Sequence, residues 1–317
     1  MTARIIATAR IFPETRAIVE RAGTVLHPDG DEPWDAETLR SALAGAEAMM
    51  AFMTDRVDAA LLDAAPRLRV LACALKGADN IDMEACRVRG IAVSIVPDLL
   101  TSPTAELAVG LAIGLARQIR AGDAAVRGGF RGWRPRFYGL GLDGATVAIL
   151  GLGQLGQAIA ARLLPFGCRL RGVDPANDAP GVERMALEPA LKGADLVIVA
   201  LPLTLETRGL VGREALACLP PGALMVNIGR GSTVDEEAVV EALKAGRLGG
   251  YAADVFAMED WALPDRPDAI PRALLDEPRT LFTPHLGSAA VAARRAIEAE
   301  AALNILKGLG VSCDGCR

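Results

Sequence analysis

The segment Gly151-Leu152-Gly153-Gln154-Leu155-Gly156 limits what this chain can fold into more than any other feature. It follows an apolar, β-branched run, Thr146–Leu150, and opens a helical stretch, Gln154–Pro165. Alone, G-x-G-x-x-G is a weak signal. Between a strand and a helix it is the fingerprint of a dinucleotide-binding βαβ unit. Gly151 permits the tight turn, Gly153 lets the backbone approach a pyrophosphate, and Gly156 lets helix and strand pack closely. The helix N-terminus meets the phosphate charge. Asp174 stands at the end of the next apolar run, 18 residues after Gly156. An acid there accepts hydrogen bonds from the adenosine ribose and repels a 2′-phosphate, so NAD is expected over NADP. The alternatives are a glycine-rich turn without a ligand and an ordinary turn or cap aspartate.

On both sides of this motif the chain reads as strands alternating with helices. Before it, strands are predicted at Arg4–Ala9, Thr24–His27, Ala48–Phe52, Leu68–Cys73 and Ile91–Ile95. Helical stretches separate them at Glu14–Arg21, Ala36–Leu43, Ala59–Ala64 and Met83–Arg89. One long helix is predicted over Thr101–Arg120, capped by Ser102 ahead of Pro103, and another over Gly122–Arg127. Gly128–Leu142, rich in glycine and aromatic residues, reads as a loop. Beyond the motif, strands are predicted at Leu170–Val173, Leu196–Ala200, Ala223–Asn227, Gly250–Val255 and Thr280–Phe282. Helices are predicted at Arg213–Cys218, Asp235–Ala245 and Ala289–Leu309.

Such alternation means right-handed crossovers and parallel sheets. The expected class is α/β, with two Rossmann-like doubly wound parallel-sheet domains and a cleft between them. Residues 1–99 with 289–317 would form the substrate-binding, flavodoxin-like domain, and 100–288 the NAD-binding domain. The last helix would return to the first sheet. A length of 317 residues suits two such cores.

Composition narrows the function. Lys and Arg number 34 against 39 Asp and Glu, a net charge of −5, so the basic face of a nucleic-acid binder is not expected. No apolar run approaches the ~18 residues of a membrane helix. The first residues lack a signal-peptide core, and a cytoplasmic protein is expected. The six cysteines are unpatterned except for Cys313-x-x-Cys316, which has no partner pair or histidine nearby, so no metal site is expected. There are only two histidines, His27 and His285, which leaves little choice if an imidazole is needed.

Three residues fall at the ends of predicted strands, where open α/β sheets place their ligands. Arg230 lies in Asn227-Ile228-Gly229-Arg230-Gly231, Glu259 follows Ala253-Asp254-Val255-Phe256, and His285 lies in Thr283-Pro284-His285-Leu286-Gly287-Ser288. An arginine can grip an oxyanion with two N–H groups. A histidine can move a proton near neutral pH, and a glutamate beside it can fix its tautomer. Singly, each also reads as a loop arginine, a helix-start glutamate or a core-edge histidine.

Taken together in this order after the nucleotide motif, these residues resemble the D-2-hydroxyacid dehydrogenase superfamily over nearly the whole chain. The resemblance implies that His285 is the acid/base, Glu259 orients it, Arg230 binds the substrate anion and Asp254 contacts the nicotinamide carboxamide. The cofactor site it implies takes in Thr104, Gly151, Gly153, Gln154, Leu155, Gly156, Asp174, Ala200, Leu201, Pro202, Ile228, Gly229, Asp254, His285 and Gly287.

A narrower resemblance is to the phosphite (phosphonate) dehydrogenases. It is carried by Ala48–Met53, Leu75-Lys76-Gly77-Ala78-Asp79-Asn80, Val96–Thr101, Gly132–Gly139, Gly249–Trp261 and Pro284–Ala289. It implies a homodimer formed around 101–143, and a second cation, Lys76, gripping phosphite with Arg230 and the Gly77 N–H. Met53, Leu100, Trp133, Tyr138 and Ser288 would shape the pocket. Lys76 also reads as a solvated loop lysine, Met53 as core, and Trp133 and Tyr138 as interface residues. Arg294 either reaches back to the site or lies on a solvated helix face. Ala257 and Ile228-Gly229 depart from the narrower pattern.

The expected activity is NAD-dependent oxidation of phosphite to phosphate, with a small-molecule anion as partner and neither nucleic acid nor membrane. The alternative is a D-2-hydroxyacid dehydrogenase of the glycerate/hydroxypyruvate type. A non-catalytic NAD-sensing protein is a third reading.

Overall fold

A computed structural model describes residues 2–133 and 136–312; the Cys313/Cys316 pair lies outside them. The chain divides into two compact units, one formed by the chain up to Leu100 together with the chain from Ala289, the other by Thr101–Ser288. Among the described residues, no helix is long and apolar enough to cross a membrane.

The first unit is built on β1 (Ala3–Ala7), β2 (Gly23–Leu26), β3 (Ala48–Ala51), β4 (Val70–Cys73) and β5 (Ala92–Ser94). They form a parallel sheet in the order β2-β1-β3-β4-β5. The central strands β3 and β4 are buried throughout because both faces are covered, which is why they read as unbroken apolar runs. Alternate residues serve different cores. Met49, Ala51, Leu71 and Cys73 enter one, and Ala48, Met50, Val70 and Ala72 the other. Helix Val291–Gly308 completes the second core with Ile297, Ala301, Ala302 and Ile305.

The second unit contains β6 (Thr146–Leu150), β7 (Arg169–Val173), β8 (Val182–Arg184), β9 (Leu196–Val199), β10 (Ala223–Asn227), β11 (Leu248–Ala253) and β12 (Thr280–Phe282). Their order is β12-β11-β10-β9-β6-β7-β8, all parallel. The chain leaves β6 toward one edge and resumes at β9 toward the other. This makes a switch point between β6 and β9, where a doubly wound sheet opens a crevice at its carboxyl edge. Helix Thr101–Ala116 packs its small residues Ala105, Ala108 and Ala112 onto the core beneath Val147, Ile149 and Ile198.

Aspartates start several helices. Asp35, Asp58, Asp82 and Asp235 each cap the backbone N–H three residues on, satisfying a donor the helix leaves open.

Local expectations differ from the structure in three places. The predicted helix Thr101–Arg120 ends at Ala116, Gln118 takes a left-handed φ of 53°, and a separate helix runs Ile119–Arg127. No glycine or proline marks this break. The Gln118 side chain secures it by donating to the Tyr138 carbonyl at 2.7 Å. Ser102 is not the expected cap: Thr101 already belongs to the helix, and the Ser102 hydroxyl bonds Glu106 and Arg162. β8 and the short helices Leu187–Leu191 and Arg272–Leu275 were not expected, being too short to show a period.

Candidate active site

The cofactor turn joins β6 to helix Gln154–Leu163. A Cβ on Gly156 would lie 1.9 Å from the Gly151 carbonyl oxygen, so the helix can leave the strand at this angle only with glycine there. The helix begins at Gly153 with no side-chain cap from that residue, the kind of N-terminus that meets phosphate charge. Gly151 and Gly229 both press on the Ala200–Leu201 backbone, which gathers the turns after β6, β9 and β10 at the switch point. Pro202 continues the β9 turn, and Ile228 is buried in the core against which Ala200 packs. Gln154 and Leu155 open the helix; Leu155 also packs on the core.

Asp174 follows β7. Its carboxylate accepts from Leu152 N at 2.8 Å, Ala176 N at 2.9 Å and Asn177 N at 2.7 Å. Partial burial works against its charge, but these donors outweigh it and hold the carboxyl below its usual range. An anionic acid beside the glycine turn fits a ribose diol and disfavours a 2′-phosphate. Asp174→Ala is expected to raise the NADP:NAD ratio of kcat/KM by about tenfold or more. Steady-state rates with both cofactors check it, and an unchanged ratio would move cofactor choice to another residue.

The three candidate catalytic residues follow three neighbouring strands: Arg230 after β10, Glu259 after β11 and His285 after β12. Glu259 ends a 3-10 turn, Ala257–Glu259. Its Oε1 accepts from Phe256 N at 2.9 Å, and its Oε2 lies 2.6 Å from His285 Nδ1. A carboxylate only accepts, so Nδ1 carries the hydrogen and the neutral ring keeps a lone pair on Nε2. His285 itself sits at φ 55°, an uncommon conformation for a residue with a side chain.

Asp254 maintains that conformation. It is 1% exposed, and its carboxylate accepts from Leu286 N at 2.7 Å, Gly287 N at 2.9 Å and the Thr283 hydroxyl. Its carbonyl accepts from His285 N at 2.9 Å. Burial pushes the Asp254 carboxyl up, against the pull of these donors. Sequence reasoning gave Asp254 a cofactor contact and missed this work on the His285 turn. Thr104 packs against Gly287 beside it. Ser288 follows directly, half-buried.

The aromatic loop lies elsewhere in this unit. Tyr138 lines a cavity with Gln118, Arg120, Pro220, Gly249 and Thr280, at the amino ends of β10–β12, the edge away from Arg230, Glu259 and His285. Tyr138 and Trp133 are each 75% exposed. The expected pocket role of Tyr138 is therefore not realised within its own unit: Gly139 and Leu140 pack the loop against Ala116, which fixes it at the helix end.

In the first unit, Met53 and Lys76 follow β3 and β4 at the carboxyl edge. Asn80 clasps their loops, its Nδ2 donating to the Phe52 carbonyl at 3.2 Å and the Asp55 carbonyl at 2.7 Å. Burial pushes the Asp55 carboxyl up to about 6, although Phe52 N and the Thr8 hydroxyl donate to it. Lys76 and Gly77 are half-buried, so Lys76 is not a freely solvated loop lysine. Burial lowers its ammonium from the usual range, with Asp98 acting against that. Arg294 is not on a solvated face either. Its side chain is 19% exposed, donates to the Ala74 carbonyl at 3.1 Å and braces the strand end that leads to Lys76. Leu100, at the boundary, packs on the same core.

Residues 109–287 match the NAD-binding domain of the D-isomer specific 2-hydroxyacid dehydrogenases. The chain belongs to that family. A glyoxylate reductase of Pyrococcus furiosus is 36% identical over 310 residues, spanning 92% of this chain and 90% of the relative. A protein of Thermus thermophilus has the same fold at a TM-score of 0.88 and 34% identity, with 98% of each chain covered. A 2-hydroxyacid dehydrogenase of Ketogulonicigenium vulgare superposes with a TM-score of 0.79 at 28% identity, covering 98% of this chain and 97% of that one. As a dehydrogenase of this family, the chain takes NAD as cofactor, and the glycine turn, helix N-terminus and Asp174 fit it.

Proposed function

We propose that this dehydrogenase oxidises phosphite to phosphate with NAD. The observation that carries the reading is Lys76, a half-buried cation at the carboxyl edge of the first sheet, in the Leu75–Asn80 segment that resembles the phosphite enzymes. Phosphite is largely a dianion at neutral pH and calls for more positive charge than a monocarboxylate. A lysine partly stripped of water suits that charge, its contacts stronger for the lowered dielectric around it.

When bound, NAD supplies the hydride acceptor, C4 of its nicotinamide. His285 Nε2, freed by the Glu259 bond on Nδ1, takes a proton from the water whose oxygen bonds to phosphorus. The P–H bond breaks with its electron pair leaving as hydride, and the proton stays on His285. Arg230, after the strand beside those of Glu259 and His285, holds the phosphoryl oxygens as negative charge shifts onto them.

A second reading is reduction of glyoxylate or hydroxypyruvate, and the relatives favour it, the 36%-identical one being named a glyoxylate reductase. There Arg230 would hold the carboxylate, and His285 would give its proton to the carbonyl oxygen. The deciding experiment measures NADH formation with phosphite beside NADH consumption with glyoxylate and hydroxypyruvate. Turnover confined to phosphite supports the first reading; turnover confined to the keto acids sinks it. Lys76→Ala is expected to raise the phosphite KM by about tenfold or more with a smaller change in kcat, the loss of a charge-assisted contact. An unchanged KM would remove Lys76 from the pocket.

The protein is further proposed to work as a cytoplasmic homodimer. Helix Ile119–Arg127 buries none of its residues, and Ile119, Val126, Phe130, Trp133 and Tyr138 are all more than half exposed. Exposed apolar residues in this number along one segment ask for a covering partner, and a second copy is the one proposed. Light scattering should give twice the 33.1 kDa chain mass, and Val126→Asp should lower it toward that of one chain. A monomeric wild-type protein would refute the dimer.

A further inference from the structure

We infer that Glu236 is a positioning residue for the Glu259–His285 pair, holding the turn from which Glu259 reaches the imidazole and acting on the pair through its own charge. This rests on the reading of His285 as the acid/base.

Glu236 is the first residue of helix Glu236–Lys244 and is 6% exposed. A glutamate in a first turn ordinarily faces water and needs no partner, as Glu237 does here. Glu236 instead turns inward. Its Oε1 accepts from Ala257 N at 2.9 Å, and the adjacent amide, Phe256 N, donates to Glu259 Oε1 at the same distance. Two consecutive backbone donors thus go to two different carboxylates. One binds the turn to the helix behind it, and the other sets the side chain that meets His285.

The second oxygen, Oε2, is buried with no hydrogen-bond partner among the described residues. A buried carboxylate without a counter-ion gives up its charge by holding a proton. The charged groups that act most on Glu236 are acidic, Asp260 and Glu259 on the neighbouring turn and Glu237 on its own helix, while Arg230, ahead of the adjoining 3-10 turn, acts on Asp260. Tyr251 on β11 is fully buried and feels Glu236 in turn. Cations on the other packed helices are engaged elsewhere, Arg213 by Glu241 and Asp235, and Arg272 by Asp276. Burial first, then these acids, push the Glu236 carboxyl up to about 7, against the pull of the Ala257 amide. Its charge therefore changes near neutral pH, and a negative charge there favours the imidazolium form of its neighbour.

Glu236→Gln keeps an acceptor for Ala257 N and removes the charge. Glu236→Ala removes both. The test measures kcat, KM, the pH profile and the NAD Kd for each, with the anion the wild-type enzyme turns over in the phosphite and glyoxylate assays. For the Gln variant, kcat at the optimum is expected to stay within about threefold. The pH limb governed by His285 should move to lower pH by about half a unit, because a neighbouring negative charge has gone. The sign holds in both directions of reaction, since a less basic imidazole loses its proton at lower pH. For the Ala variant, kcat is expected to fall by about tenfold or more, with NAD Kd little changed, since an orphaned Ala257 N–H lets the turn shift. A Gln profile that superimposes on the wild type overturns the inference, as does an Ala variant with wild-type kcat. If the Ala variant does not fold, the Gln profile decides. His285→Ala separates the two layers. Activity surviving there defeats the acid/base reading itself, whereas a dead His285→Ala beside unaltered Glu236 variants defeats only the inference.

Discussion

Replacing His285 with alanine is expected to lower kcat by about three orders of magnitude or more, the range for removing a positioned acid/base. NAD affinity should stay within a few-fold, because the glycine turn and Asp174 belong to other strands of the sheet. The chain has one other histidine, His27, and its ring is already bonded to the Pro28 carbonyl. The backbone at this position carries a φ of 55°, so an alanine there keeps the strain that histidine already bears and adds little. His285→Asn is the better-behaved companion, since asparagine tolerates that conformation most readily. Steady-state kinetics with NAD titration by fluorescence would check both variants. If either retained substantial turnover, proton transfer would have to be reassigned.

The second large effect is expected at Gly231, which begins the 3-10 turn after Arg230. A Cβ there would sit 1.9 Å from the Phe256 carbonyl carbon and 2.1 Å from Ala257 N. Both obstacles are backbone, so no side chain can swing away, and the turns carrying Arg230 and Glu259 would have to part. Gly231→Ala is expected to cost about 3 kcal/mol or more, at the upper end for overpacking. For a unit of this size that lowers the melting temperature by about 6–12 °C. Activity should fall together with stability, because one movement displaces both the anion grip and the base's partner. Calorimetry and kcat measured on the same preparation would decide it. A melting temperature within a degree or two of the wild type would show that the two turns can separate freely.

What could be read from the chain was whatever follows from periodicity or from a residue type forced by local geometry. The strands β3, β4, β6 and β9 are buried on both faces, and their apolar runs announced it. Gly151, Gly153 and Gly156 are required by the turn they build. Arg230, Glu259 and His285 each follow a strand, and the sheet order brings those strands side by side. The rest depends on side chains bonding to distant backbone, which leaves no period in a sequence. Asp254 holding Leu286 and Gly287, Asn80 clasping Phe52 and Asp55, and Glu236 reaching Ala257 are all of this kind. The one available signal for Glu236 was an acid directly after the capping Asp235, a position that is usually solvated. The break at Gln118 was invisible for the same reason, its support coming from the Tyr138 carbonyl twenty residues on. A lysine in a loop looks alike whether wet or half-buried, so Lys76 needed the structure to separate the two.

The helix Val291–Gly308 belongs to the first sheet, yet it is made after the whole of the second unit. During synthesis, strands β3–β5 leave the ribosome without the helix that covers one of their faces. Val70, Ala72 and Met50 stay without their cover while nearly two hundred further residues are translated, at about 5–20 residues per second. The unit that emerges first is thus completed last. For some ten seconds or more the nascent chain displays an apolar sheet face that chaperones or neighbouring chains can capture. Moving that helix to the front of the chain by circular permutation would remove the wait while leaving every contact of the folded protein in place.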